Sequence, residues 1–157
     1  MIGRVKVASM TQQLDACFAR TNSIPEDGQL RSDFAKYLCV LVSGYIERAV
    51  VALVNEYARS QSTPSVTRYV ERNARVSNPK VEKIKQLLGM FSSEWYEDIE
   101  IYVIDERKDA VDSIVDLKNS IAHGDSVGVT INRVRDYYAQ VKLVIEYIAD
   151  LCAPLSS

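Results

Sequence analysis

The sequence predicts an all-α fold, a single-domain bundle of five to six helices spanning residues 1–157. Three observations carry this reading. Six glycines and four prolines among 157 residues are about half the average usage, which argues against a loop-rich all-β fold. Apolar residues recur three and four apart between a few breaks, Ile24-Pro25-Glu26-Asp27-Gly28, Ser62-Thr63-Pro64, Ser77-Asn78-Pro79 and His123-Gly124-Asp125. No internal repeat, low-complexity tract or linker divides the chain, and its length is about that of one domain.

The elements follow in order. Gly3 to Thr21 carries Met10, Leu14, Cys17 and Phe18 at helical spacing. Ser32 to Gln61 is the longest helix, with Leu38, Leu41, Tyr45, Ala49, Ala52, Leu53 and Tyr57 as its main stripe. Val40, Val42, Ile46, Val50, Val51 and Val54 make further faces apolar, so this helix is central in the bundle or lies against a partner. Gly44 in its middle costs about 1 kcal/mol relative to Ala; close helix approach would offset that, and simple tolerance is the plainer reading. Ser65 to Arg75 reads as a short helix. Asn78 before Pro79 has the composition of a helix start, and Val81, Ile84, Leu87, Leu88 and Phe91 then face one side. Ser93 can cap another turn, and Ile99 to Ile104 reads better as helix or extended connection than as strand. Asp105 to Ala122 is helical through Ile114, Leu117 and Ile121. Thr130 can cap a last helix with Val134, Tyr138, Val141, Ile145, Ile148 and Leu151 on its apolar face.

Composition narrows the function. Nineteen basic and 21 acidic residues give a net charge of −2, so any nucleic-acid contact must come from a local patch. A single histidine excludes multi-histidine metal centres and His–His pairs within one chain, and no metal or cofactor is expected. Cys17, Cys39 and Cys152 lack CxxC spacing and are odd in number, which fits free thiols in a reducing cytoplasm. Residues Met1 to Met10 lack the apolar run of a signal peptide. Charged Glu47, Arg48 and Glu56 interrupt Tyr37 to Tyr57, which therefore reads as a core helix and not a membrane span.

The candidate chemistry lies in Leu117-Lys118-Asn119-Ser120-Ile121-Ala122-His123-Gly124. Asn119 and His123 are four apart and share a helix face. That face points away from Ile114, Leu117 and Ile121, while Lys118 lies at the edge of the apolar stripe. Gly124 reads as the residue that ends the helix. A cation, an amide and an imidazole thus gather at one helix terminus. The plain structural reading is a histidine that favours the helix dipole when protonated, followed by ordinary glycine capping.

These residues resemble the signature of the HEPN superfamily: Arg, a polar residue that is often Asn, a short spacer, then His. Lys118 and His123 enclose four residues, within the family's spacing of four to six. The motif sits late in the penultimate helix. A short Gly124–Val129 loop and a long final helix bearing Tyr137-Tyr138 follow. The resemblance is closest to the branch containing RiboL-PSP and the MAE-type proteins, and Ser43-Gly44-Tyr45-Ile46-Glu47-Arg48 is similar to that branch's early long helix. It covers about two thirds of the chain, from Ser32 onward with a gap over Ser65 to Glu97. The resemblance implies a metal-independent endoribonuclease with a composite cleft in a homodimer, set in a toxin–antitoxin or antiphage defence system with an antitoxin or associated defence protein as partner. It makes His123 the general acid or base, Asn119 its orienting residue and Lys118 the phosphate holder. Lys118 departs from the family's Arg, which removes the planar fork that grips phosphate at two points. The competing reading is a silent HEPN-like module that binds RNA, a nucleotide or a protein.

Other residues have both functional and plain readings. Glu47, on a helix expected to be largely buried, either pairs with Lys118 or Asn119 to position the motif or faces solvent. Arg133, Arg135 and Lys142 form a phosphate track if they line the cleft, and otherwise a solvated face. Tyr137 offers a stacking surface for an unstacked base; Tyr138 reads better as core. Asp109, Asp112 and Asp116 share a face that is a weak divalent-ion candidate and a better solvated face. Cys39 lies among apolar residues and reads as core instead of as a thiol nucleophile.

Overall fold

A computed structural model describes residues 2–26 and 28–153. The segment Ile2–Ala19 forms α1, followed by a 3₁₀ turn at Arg20–Ser23. Then come α2 (Gln29–Gln61), α3 (Pro64–Asn73), α4 (Val81–Gly89), α5 (Ser93–Tyr102), α6 (Asp105–Ala122) and α7 (Ile131–Leu151). The fold is all-α, with no strand among the described residues. The seven α-helices among the described residues exceed the five to six expected. The additional one is α5, whose residues Ile99–Tyr102 continue the helix started at Ser93 and so resolve the ambiguous stretch as helix.

The caps explain several boundaries and correct two. Thr130 Oγ1 accepts from the Arg133 amide at 3.1 Å and opens α7, as its sequence position suggests. The cap of α5 is Ser92, not Ser93; Ser92 Oγ accepts from the Trp95 amide at 3.3 Å. Asn78 does not cap α4. It takes φ 50°, in the left-handed region that Asn tolerates, and the chain turns through buried Pro79 before helix begins after Lys80. The free Val81 amide is satisfied from elsewhere, by Asp112 Oδ1 of α6 at 2.9 Å. Lys80 adds an ion pair to Asp116 at 2.7 Å. Two members of the acidic face therefore fasten α4 to α6 rather than facing only solvent.

The long helix α2 is the axis of the bundle and packs against α1, α3, α6 and α7, while α4 packs against α5 and α6. Leu38, Tyr45, Ile46 and Leu53 of α2 are buried against Ile114 of α6 and Ile131, Ile145 and Ile148 of α7 in one continuous core. Each such aliphatic side chain stabilises the fold by about 1.5–3 kcal/mol. By length and composition α2 also suffices to cross a membrane, but over half of its most apolar window is buried by neighbouring helices.

Close helix approach occurs at a glycine other than the one the sequence suggests. Beyond Gly44 a side chain would meet nothing within 4 Å. At Gly3 a Cβ would sit 2.6 Å from the Ala52 carbonyl and 2.5 Å from Glu56 Oε2, so α1 can lie against α2 only because Gly3 has no side chain. Buried Glu56 receives the Arg4 amide at 3.0 Å, which satisfies an orphan donor at the start of α1. Burial raises the Glu56 pKa, but the Gly3 and Arg4 amides and the positive charge at the start of the chain outweigh it and hold the carboxyl below its ordinary value.

Candidate functional site

The end of α6 is built by local backbone chemistry. His123 is the last half-helical residue, at φ −83° and ψ 0°, and its amide donates to the Asn119 carbonyl at 3.0 Å. Gly124 then takes φ 79°, a conformation that favours glycine. Its amide donates to the Ile121 carbonyl at 3.1 Å and the Asp125 amide to the Ser120 carbonyl at 2.9 Å. This paired closure is a Schellman motif. It places His123 at the exposed tip of the helix, where the core no longer reaches.

Asn119 and His123 share one side of this terminus, and Lys118 stands at the border of the apolar stripe. Lys118 and Asn119 are half-buried, His123 is exposed. None of the three side chains has a hydrogen bond or ion pair among the described residues. An imidazole, an amide and a cation are thus held on a helix end with no side-chain hydrogen bond or ion pair among the described residues.

Beside this terminus, Leu117, Val127, Thr130, Arg133 and Tyr137 line a groove of about 380 Å³. The Arg133 guanidinium lies 5.3 Å from the Tyr137 ring centroid and has no carboxylate within 4 Å among the described residues. The far side of the same Arg133–Tyr137 wall faces Glu106, Asp109 and Asp136, so an anion is favoured on the Leu117 side and disfavoured on the other. A further groove joins Arg31 and Ser32 of α2 to Gly128, Thr130 and Ile131, which places the start of α2 at the same end of the bundle.

Several expected members lie elsewhere. Arg135 is two residues from Arg133, about 200° around the helix, and it binds Thr21 Oγ1 at 2.7 Å and Asn132 Oδ1 at 3.0 Å. It ties α7 to the 3₁₀ turn and is not in the groove. Lys142 lies over the Tyr138 ring, 4.5 Å from its centroid, and reaches Asp15 at 3.4 Å, so it adds nothing to a phosphate track. Glu47 is exposed, with no hydrogen bond or ion pair to Lys118 or Asn119 among the described residues; it lines a groove with α1 instead. Of its two readings, the structure has the solvent-facing one.

Tyr138 is core: its ring stacks on Phe18 at 4.7 Å, and its hydroxyl donates to Asp15 at 2.6 Å. Cys39 is fully buried with its thiol pKa pushed up to about 11 by desolvation, which leaves it unreactive at neutral pH. Among the described residues no group of three or more His, Cys, Asp or Glu is arranged to hold a metal ion.

The sequence reading overlooked the role of Asp112 as the cap of α4, and also a cationic groove formed by Lys6, Arg48 and Arg75. Both join residues far apart in the chain, and no local pattern marks either.

An all-α bundle with a Lys–Asn–His terminus on its penultimate helix agrees with a HEPN-type domain. More narrowly, the RiboL-PSP-HEPN family model matches residues 8–153, and the chain belongs to that family. The corresponding comparisons with curated proteins and with solved structures yield no match.

Proposed function

We propose that this protein is a metal-independent endoribonuclease that cleaves RNA through the 2′-hydroxyl at a site completed by a second copy of the chain. The observation that carries this reading is the exposed terminus of α6, where Lys118, Asn119 and His123 stand with uncommitted polar atoms in a HEPN domain. Cleavage needs a proton taken from the 2′-oxygen and another delivered to the 5′-leaving oxygen. Imidazole can do either near neutral pH. Each chain supplies one imidazole, so a two-fold dimer with this terminus near its axis supplies both. Lys118 stabilises the charge that develops on the phosphate, Asn119 orients His123 or the phosphate, and Arg133 with Tyr137 holds the flanking nucleotide. The products are a 2′,3′-cyclic phosphate and a 5′-hydroxyl.

An apolar stripe on α2 supports the second copy. Leu30 and Tyr37 are 64% and 51% exposed, and Phe34 and Leu41 lie beside them at alternating spacings of four and three, the repeat that pairs helices. The stripe starts at the end of the bundle that holds the motif. The setting, a cytoplasmic toxin or defence effector with an antitoxin or associated defence protein, rests on the family resemblance.

The test is incubation of purified protein with RNA in EDTA beside His123→Ala. Cleavage by the wild type alone, with cyclic-phosphate ends, is the expected result; equal traces from both proteins would sink the proposal. One observation favours a second reading, a binding module without catalysis: Lys118 lacks the two-point fork of Arg. RNA bound by the wild type and released by Lys118→Ala, with no cleavage, would establish that reading.

A further inference from the structure

A second groove, of about 530 Å³, lies well away from the motif. From Arg31, at the motif end, to Val51, in this groove, α2 runs about 30 Å. Lys6 comes from α1, Arg48 from α2 and Arg75 from the segment after α3, and all three are exposed. None has a carboxylate partner within 4 Å among the described residues. Arg48 Nε donates only to the Gly44 carbonyl at 3.3 Å, and Arg75 only to the Glu71 carbonyl at 3.4 Å. Three like charges facing one depression repel one another unless an anion lies between them.

The rest of the groove says what kind of anion. Its floor is apolar, from Met10 and Val51, while Glu47 stands in the wall. A bare phosphate would leave the floor unused and would be repelled by the carboxylate. An extended RNA strand would run past the same carboxylate, which lines the groove. Asn55 also lines the groove, and its buried amide oxygen has no hydrogen-bond donor among the described residues. The volume suits one small organic ligand.

We propose that this groove binds a nucleoside phosphate. The phosphates lie between Lys6, Arg48 and Arg75, with Arg48 and Arg75 offering two-point contacts. The base rests on Met10 and Val51, and Glu47 accepts from a ribose hydroxyl or base amine. This site is separate from the proposed nuclease centre and stands whether or not that centre is catalytic.

The test is calorimetric titration of the full chain with AMP and ATP, beside inorganic pyrophosphate, ribose 5-phosphate and a short RNA. Saturable binding of a nucleotide, tighter than pyrophosphate and ribose 5-phosphate, is expected. Arg48→Ala and Arg75→Ala should each weaken it by at least about tenfold, the loss of one or both hydrogen bonds of a charged donor, while Lys118→Ala leaves it unchanged. Because both arginines are exposed, an unaltered melting curve should accompany the loss. Any of three results overturns the proposal: no saturable nucleotide binding, equal affinity for pyrophosphate, or RNA bound at this groove in place of nucleotides.

Discussion

Two places along α2 bring polar side chains together in different ways. At the motif end, six consecutive residues, Lys118 to His123, and one glycine suffice, because a helix and its Schellman closure determine where each side chain goes. In the groove farther along α2, Lys6, Arg48 and Arg75 come from three stretches of chain, and only the packing of α1 and of α3 with the segment after it on α2 brings them together. The first site depends on backbone conformation at its own position. The second depends on a contact elsewhere, above all on the missing side chain of Gly3.

Variants can break or sharpen this contrast. The largest effect belongs to His123→Ala. RNA cleavage in EDTA should fall by at least about a hundredfold, as for loss of a general acid or base, while thermal melting and nucleotide binding stay as they are. Gly3→Ala should do the reverse. Its Cβ collides with the Ala52 carbonyl and Glu56, destabilising the fold by about 1–3 kcal/mol; urea unfolding should show the loss, and calorimetry should show weaker nucleotide binding with cleavage retained.

Gly124→Ala should cost about 1–2 kcal/mol for an alanine held at positive φ, and cleavage should drop with it because the tip of α6 shifts. A smaller effect separates Arg133 from Arg135. Arg135→Ala should lose about 0.5–1.5 kcal/mol of stability without changing RNA affinity, whereas Arg133→Ala should weaken RNA binding at unchanged stability.

The smallest effect concerns acid. The folded-state pKa of Glu56 lies below its unfolded value. Its contribution is therefore present above about pH 4.3 and is lost as pH falls through the folded value. Glu56→Gln should lower stability at neutral pH and flatten that part of the acid-unfolding curve.

The helices were legible because their apolar residues recur at helical spacing, and Thr130 and Gly124 mark their boundaries through bonds made within a few residues. The motif was legible for the same reason. Asn78 misled because its capping composition competes with its tolerance of positive φ, and a distant carboxylate, Asp112, took over the cap. Arg135 and Lys142 lie apart from Arg133 because nearness in sequence does not put residues on one face of a helix. Glu47 left two readings open because an apolar helix can still expose one strip, and nothing local says which.

By itself the sequence determined the all-α class, the Lys118–Asn119–His123 terminus and the glycine that ends α6, since each depends on interactions within one or two helical turns. Only the tertiary structure decided that α2 is the axis, that Gly3 and not Gly44 is the point of close approach, that Arg133 but not Arg135 lines the groove, and that three unpaired cations share a second groove. Those features depend on which side chains meet across helices, and that is settled when all the apolar faces are buried together.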